Sequence, residues 1–283
     1  MKRVFYLQKR LRHTGMRGNR MKKILPLILA LALSLSACGG TESPAGGTAE
    51  LHVFAASSMM EALDQVIGLY QDAVPDVAVV PTYDSSGALL TQIQEGANCD
   101  LFISAAPKQM NALEEAGSLM EGTRLDLLEN KVVLAVPEGN PGGVTSFDRL
   151  AELLERGDVL LAAGNSDVPA GQYTQKIFSY YGLAEAVLAG SGVLTYGSNV
   201  KEIATQVSEG MVDCGVIYAT DALSAGLTAT DEATAEMCGR VIYPAAMLKD
   251  AAHPEEARAF LDFLATPEAG DVFARAGFTP LNK

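Results

Sequence analysis

Four places in this 283-residue chain put small or hydroxyl-bearing residues where an apolar run gives way to a helical pattern. They read AASSMMEAL (Ser57, Ser58), YDSSGALL (Ser85, Ser86, Gly87), VPAGQYTQK (Pro169, Ala170, Gly171) and GSNVKEIA (Ser198, Asn199, Val200). The first turn of a helix leaves backbone N–H groups without intrahelical acceptors, and the aligned peptide dipoles make that end positive. Small residues keep those groups accessible, so such a junction can hold an anion with no cationic side chain. One junction of this kind is ordinary capping, and Ser58 and Ser86 both suit an N-cap. Four in one chain point to an oxyanion cleft.

Each residue also has a purely structural reading. Pro169 suits the first helical position and Gly171 relieves crowding there. Tyr218, in CGVIYATDA, reads as a strand-end core aromatic whose hydroxyl meets a backbone group. Asp84 is a weak cation ligand, one carboxylate beside two serines. Enzymatic readings have less behind them: there is no GxSxG elbow, and neither His52 in the first strand nor His253 before a proline is placed as a base. Nucleotide-binding glycine fingerprints are missing, and the carboxylates scatter over helix faces. No catalytic residue, cofactor or direct metal ligand is expected.

The elements that must position the junctions alternate apolar runs with helical patterns, which predicts an α/β fold with largely parallel strands. Strands are expected at LHVFAA, VAVVPTY, DLFIS, KVVLAVP, VLLAAG, GVIYA and VIYPAAML. Helices are expected between them, with a closing helix broken near Pro267. LLENKVVLAVPEGNP reads as one strand leading out of a first unit and RVIYPAAMLKD as a crossing back. That implies lobe 1 from residues 51–131 and 240–283, lobe 2 from 132–239, and a ligand cleft between them.

Ahead of the body, MKKILPLILALALSLSACGG has the basic start, short apolar core and small residues of a secretory signal. Residues 1–37 form this signal with an upstream mis-start extension, and 38–50 form a polar tether. LSAC resembles a bacterial lipobox, which makes Cys38 the lipidation site. Removing residues 1–37 removes nine Lys or Arg and no acid, leaving 12 basic against 34 acidic residues and a charge near −22. Nucleic acid and anionic membrane surfaces are poor partners for such a chain, and any bound anion must be held by local donors. Of Cys99, Cys214 and Cys238, the last two are the candidate disulfide, with buried free thiols the alternative.

The motifs FAASS, SSGALLTQIQEGA, DLFISA, VPAGQY, GVIYATDA, YPAA and FTPLN, spread from Leu51 to Asn282, resemble those of the molybdate-binding proteins of bacterial ABC importers. The resemblance implies a two-lobe periplasmic-binding-protein-like fold of type II. It implies that molybdate or tungstate is held, molybdenum being bound only as its oxyanion. Ser58 and Ser86 would contribute hydroxyl and N–H groups, Ala170 and Val200 backbone N–H groups, and Tyr218 its phenol, with Ser57 and Ser85 behind them. It further implies a membrane permease with its ATPase as partner, a monomeric binder, and a lipid anchor on the outer face of the cytoplasmic membrane. Asp84 departs from that pattern because its charge would repel a dianion, and Lys201 is a distant compensating charge. The alternative is another oxyanion or a small carboxylate on the same fold.

Overall fold

The computed structural model describes residues 49–282; the signal, Cys38 and the tether to residue 48 lie outside them. The strands are β1 (Ala49–Ala56), β2 (Val77–Asp84), β3 (Leu101–Ile103), β4 (Leu125–Asn130), β5 (Val132–Val136), β6 (Leu161–Gly164), β7 (Leu194–Gly197), β8 (Cys214–Tyr218), β9 (Thr228–Glu232), β10 (Val241–Met247) and β11 (Thr279–Pro280). The helices are α1 (Met60–Ala73), α2 (Ser86–Gln94), α3 (Pro107–Glu115), α4 (Phe147–Arg156), α5 (Pro169–Tyr180), α6 (Glu185–Ser191), α7 (Val200–Ser208), α8 (Ala219–Ser224), α9 (Ala235–Cys238), α10 (Pro254–Leu264) and α11 (Pro267–Arg275). Helix α4 shows how local chemistry sets these bounds. Ser146 caps its start by accepting from the Arg149 N–H, and Phe147, Leu150, Leu153 and Leu154 bury one face. Gly157 then ends it in the left-handed region at φ 74°.

Two sheets organise the chain into two α/β lobes. The first has the order β11-β4-β10-β3-β1-β2 and the second the order β7-β6-β8-β5-β9. The strands that feed the candidate junctions pair in parallel: β1 with β2 and β3, and β6 with β7 and β8. The remaining pairings, of β10, β11, β5 and β9, are antiparallel. Both sheets are therefore mixed, not largely parallel as the alternation of elements implied. Alternation fixes element type, whereas the direction of a strand returning from another lobe is set by contacts far away in sequence.

The segment 127–141 is not one strand. It breaks at Lys131, with β4 in the first sheet and β5 in the second. Asn130 marks the break: its Oδ1 accepts the Lys131 N–H, and its Nδ2 donates to Thr220 Oγ1 and Tyr243 Oη. The return runs between Glu232 and Val241 through α9 and places β10 between β3 and β4. The closing helix is broken as expected, with Thr266 capping α11 and Pro267 as its first residue.

Cys214 and Cys238 are not paired; Cys99, Cys214 and Cys238 are all free and buried. Cys214 begins β8 inside the core, while Cys238 closes α9 with its thiol turned toward the Thr234 and Gly239 carbonyls. Burial pushes the Cys99 thiol up to about 12 and raises the Cys214 thiol further, so neither is a thiolate near neutral pH. Thiol titration at pH 8 without reductant should find these three groups unreactive in the native protein and all three reactive after unfolding. Fewer than three after unfolding would restore the disulfide.

Candidate oxyanion cavity at converging helix starts

Ser57 and Ser58 follow β1, but the turn they form is a 3-10 helix, Ser57–Met59, ahead of α1. Met59, not Ser58, therefore holds the cap position of α1, and no side chain caps it. The Ser58 hydroxyl lies instead 2.8 Å from Tyr243 Oη. At the second junction Ser85 is the N-cap of α2 and accepts from the Ala88 N–H at 3.2 Å. Ser86 is thus the first helical residue, and its Oγ accepts the Ala105 N–H at 2.9 Å. Both serines expected as caps are freed from capping by a neighbour.

At the third junction Val168 precedes α5 and no side chain caps the helix. A Cβ on Gly171 would overlap the Gly164 and Asn165 carbonyls, so this glycine does relieve crowding. At the fourth, Asn199 caps α7 through the Glu202 N–H at 3.0 Å and Val200 is the first helical residue. The first-turn N–H groups of Ser86, Ala170 and Val200 have no acceptor within their own helices. A fifth junction escaped the sequence reading, because Tyr218 is both the last residue of β8 and the residue before α8.

Ser57, Ser58, Ser85, Ser86, Ala170, Val200 and Tyr218 all line one small cavity between the lobes. Its volume is about 10 Å³. That is room for one small body, not for a metabolite. A groove of about 860 Å³ runs between α3 and α5, but Lys108, Glu115 and Lys176 on its walls are exposed to solvent.

Hydrogen-bond directions give the cavity its chemistry. Asn130 donates to Tyr243 Oη, and Tyr243 Oη shares a hydrogen bond with Ser58 Oγ, which holds the Ser58 hydroxyl at the cavity wall. Ser86 Oγ accepts from behind, so its proton points onward. The Tyr218 hydroxyl is fully buried and has no hydrogen-bond partner among the described residues. Burial, with Tyr243 beside it, raises the Tyr218 phenol well above the usual value, so it stays protonated as a donor. It does not meet the backbone group that a structural role would supply. Tyr243 and Asn130, which orient Ser58, lie within strands and carry no local signal of this role.

Asp84 also lines the cavity, and it and the charges nearby are engaged by protein groups. Asp84 Oδ1 accepts the Ser85 N–H at 2.7 Å. Lys201 Nζ lies 2.7 Å from Glu61 and 3.1 Å from the fully buried Asp221, so it compensates these acids instead of serving as a distant charge for an anion. Burial raises Asp221 to about 6, against the opposing pull of Lys201. Asp221 and Glu61 in turn outweigh burial and keep Lys201 above its usual value. Among the described residues, no cluster of His, Cys, Asp and Glu could hold a metal ion.

Two lobes joined by two crossings, with helix starts from both facing one small cavity, form the architecture of a two-lobe solute-binding protein. The chain belongs to the bacterial extracellular solute-binding protein family, whose model it matches over residues 51–279. It is 34% identical over 264 residues to a provisionally named ABC transporter substrate-binding lipoprotein of Bacillus subtilis, YvgL, covering 91% of this chain and 98% of that one. It is 30% identical over 255 residues to the molybdate-binding protein ModA of Mycobacterium tuberculosis, covering 88% and 94%. The fold matches the periplasmic molybdate-binding protein of Azotobacter vinelandii with a TM-score of 0.71 at 22% identity, over 81% of this chain and 98% of that one.

Two variants probe the buried groups. Tyr218→Phe removes a hydroxyl with no partner, so thermal unfolding without ligand should show stability unchanged or raised by about 1 kcal/mol, a gain of roughly 2–4 °C. A clear loss would mean the hydroxyl has a structural partner. Asp221 titrates near 6 in the fold against about 3.9 unfolded. Its contribution is greatest below the unfolded value and is lost as pH rises through the folded one. Denaturant unfolding from pH 4 to 7 should therefore show Asp221→Asn losing less stability with rising pH than the parent, whereas equal slopes would overturn the assignment.

Proposed function

We propose that this protein captures a tetrahedral oxyanion, molybdate or tungstate, as the solute-binding component of an ABC importer. The single observation that carries the reading is the buried hydroxyl of Tyr218, without a partner among the described residues, in the same small cavity that Ser58 and Ser86 line. A fully buried donor without an acceptor is costly. An anion supplies the acceptor. Ser58, Ser86 and Tyr218 would give hydroxyl contacts, Ala170 and Val200 backbone N–H contacts, and Ser57 and Ser85 would support them from behind. Relatives named as molybdate-binding proteins make this ion the first candidate.

The mechanism is reversible binding without turnover. We take residues 51–131 with 240–283 as one lobe and 132–239 as the other, each supplying part of the donor ring. The ion is fully coordinated only when the lobes are shut. Fixed donors in a dry cleft bind strongly because little reorganisation is needed. A ring set for molybdate leaves bonds stretched around the smaller sulfate, and unpaired polar groups lower affinity steeply. The closed, monomeric binder would then dock on a membrane permease driven by its ATPase, held nearby by lipid on Cys38.

Thermal unfolding with molybdate, tungstate, sulfate and phosphate in turn tests the reading. At a hundredfold excess over its dissociation constant the right ion adds about 2.7 kcal/mol, roughly 5–11 °C. Molybdate and tungstate should raise the midpoint and sulfate should not, and Ser86→Ala and Tyr218→Phe should each diminish the rise. A response to sulfate alone or to small carboxylates would transfer the site to that ligand. A molybdate response untouched by both substitutions would remove these residues from it.

A further inference from the structure

Gly87, the second residue of α2, directly follows Ser86. A Cβ built on it would overlap the carbonyl oxygen of Asp167, and the three nearest atoms it would meet all belong to Asp167. Asp167 lies in the other lobe, immediately before the Val168-Pro169-Ala170 start of α5. Its loop is pinned by Asn165, whose Oδ1 accepts the Asp167 N–H and whose carbonyl accepts the Val168 N–H. The backbone of Gly87 is helical and is not among the glycines with positive φ. Local conformation therefore gives glycine no advantage here, and alanine would be the better helix former. What the glycine supplies is room for the opposing lobe.

We infer that Gly87 is the closure stop of the cleft: its missing side chain lets α2 rest on the Asp167 carbonyl and so sets how closely Ser86 approaches Ala170. Gly87 is a positioning residue. It fixes the spacing between the donors of the two lobes and, through that spacing, the size of ion that can meet both sets at once. A second contact marks the same closed arrangement elsewhere on the cleft, where Lys201 of α7 reaches both carboxylate oxygens of Glu61 of α1 at 2.7 Å. Buried Asp221 steadies that ammonium at 3.1 Å. Side chains of this kind can swing aside, whereas a Cβ against a pinned carbonyl can be relieved only by parting the lobes.

The inference rests on the oxyanion reading for its ligand and not for its geometry, so the test has two readouts. In the first, a zero-length carbodiimide joins Glu61 to Lys201 when the lobes are shut, and peptide mass spectrometry measures the yield. In the second, molybdate affinity and dissociation rate are measured. Gly87→Ala should cut the Glu61–Lys201 cross-link several-fold and weaken molybdate at least about tenfold, mainly through faster release, without lowering the ligand-free unfolding midpoint. Gly68→Ala is the control, since an added Cβ on this α1 glycine meets nothing within 4 Å, and it should leave both readouts unchanged. A parent protein that cross-links but ignores molybdate would sink the oxyanion reading while leaving the stop to be judged by Gly87→Ala cross-linking alone. Cross-linking of Gly87→Ala at the parent's yield, or no cross-link in the parent, would overturn the stop.

Discussion

The site depends on hydrogen-bond donors being held without acceptors of their own. Buried polar groups are normally satisfied, and leaving one unpaired costs on the order of 1–3 kcal/mol. Here the surrounding structure maintains the imbalance by saturating the groups behind each donor. Asn130 donates to Tyr243, Tyr243 shares a hydrogen bond with Ser58, and the Ala105 N–H donates to Ser86. Capping falls to Ser85 and Asn199, which leaves the neighbouring Ser86 and Val200 free to face inward. The two parallel strand sets matter because they send successive helix starts toward the same edge of each sheet.

The proposed capture of an anion by an acidic protein looks contradictory only at the level of net charge. Long-range fields are screened within about 8 Å at physiological ionic strength, and the cavity is lined by donors with no cation among them. Lys201 illustrates the division. It is committed to Glu61 and Asp221, so its charge joins the lobes together and does not sit on the ligand. Asp84, the residue most at odds with an anion, has one carboxylate oxygen occupied by the Ser85 N–H.

The fold class was legible because α/β alternation is local, and the Ala170 and Val200 junctions were legible because helix starts have local chemistry. Ser58 and Ser86 stand out in the sequence as hydroxyls at helix starts, with N-capping as the alternative role, and in each case the adjoining residue holds the cap position instead. The sequence alone offered Tyr218 only as a core aromatic. Its lack of a partner is a property of three-dimensional surroundings that no spacing encodes, and family resemblance singled it out first. The break at Lys131, the antiparallel insertion of β10 and the unpaired state of Cys214 and Cys238 were illegible for the same reason. Each is decided by residues a hundred or so positions away or by packing around a thiol.

The position of β10 also constrains the order in which the molecule can be assembled. Because β10 lies between β3 and β4, a chain emerging amino end first has one edge of β3 open and β4 without any strand partner until β10 has appeared at about residue 247. The second sheet, by contrast, is complete in one uninterrupted run from β5 to β9 and needs nothing that comes later. During export the inserted lobe can therefore mature first, while the lobe that begins the chain must wait for its end, with edges open to misassociation in the interval.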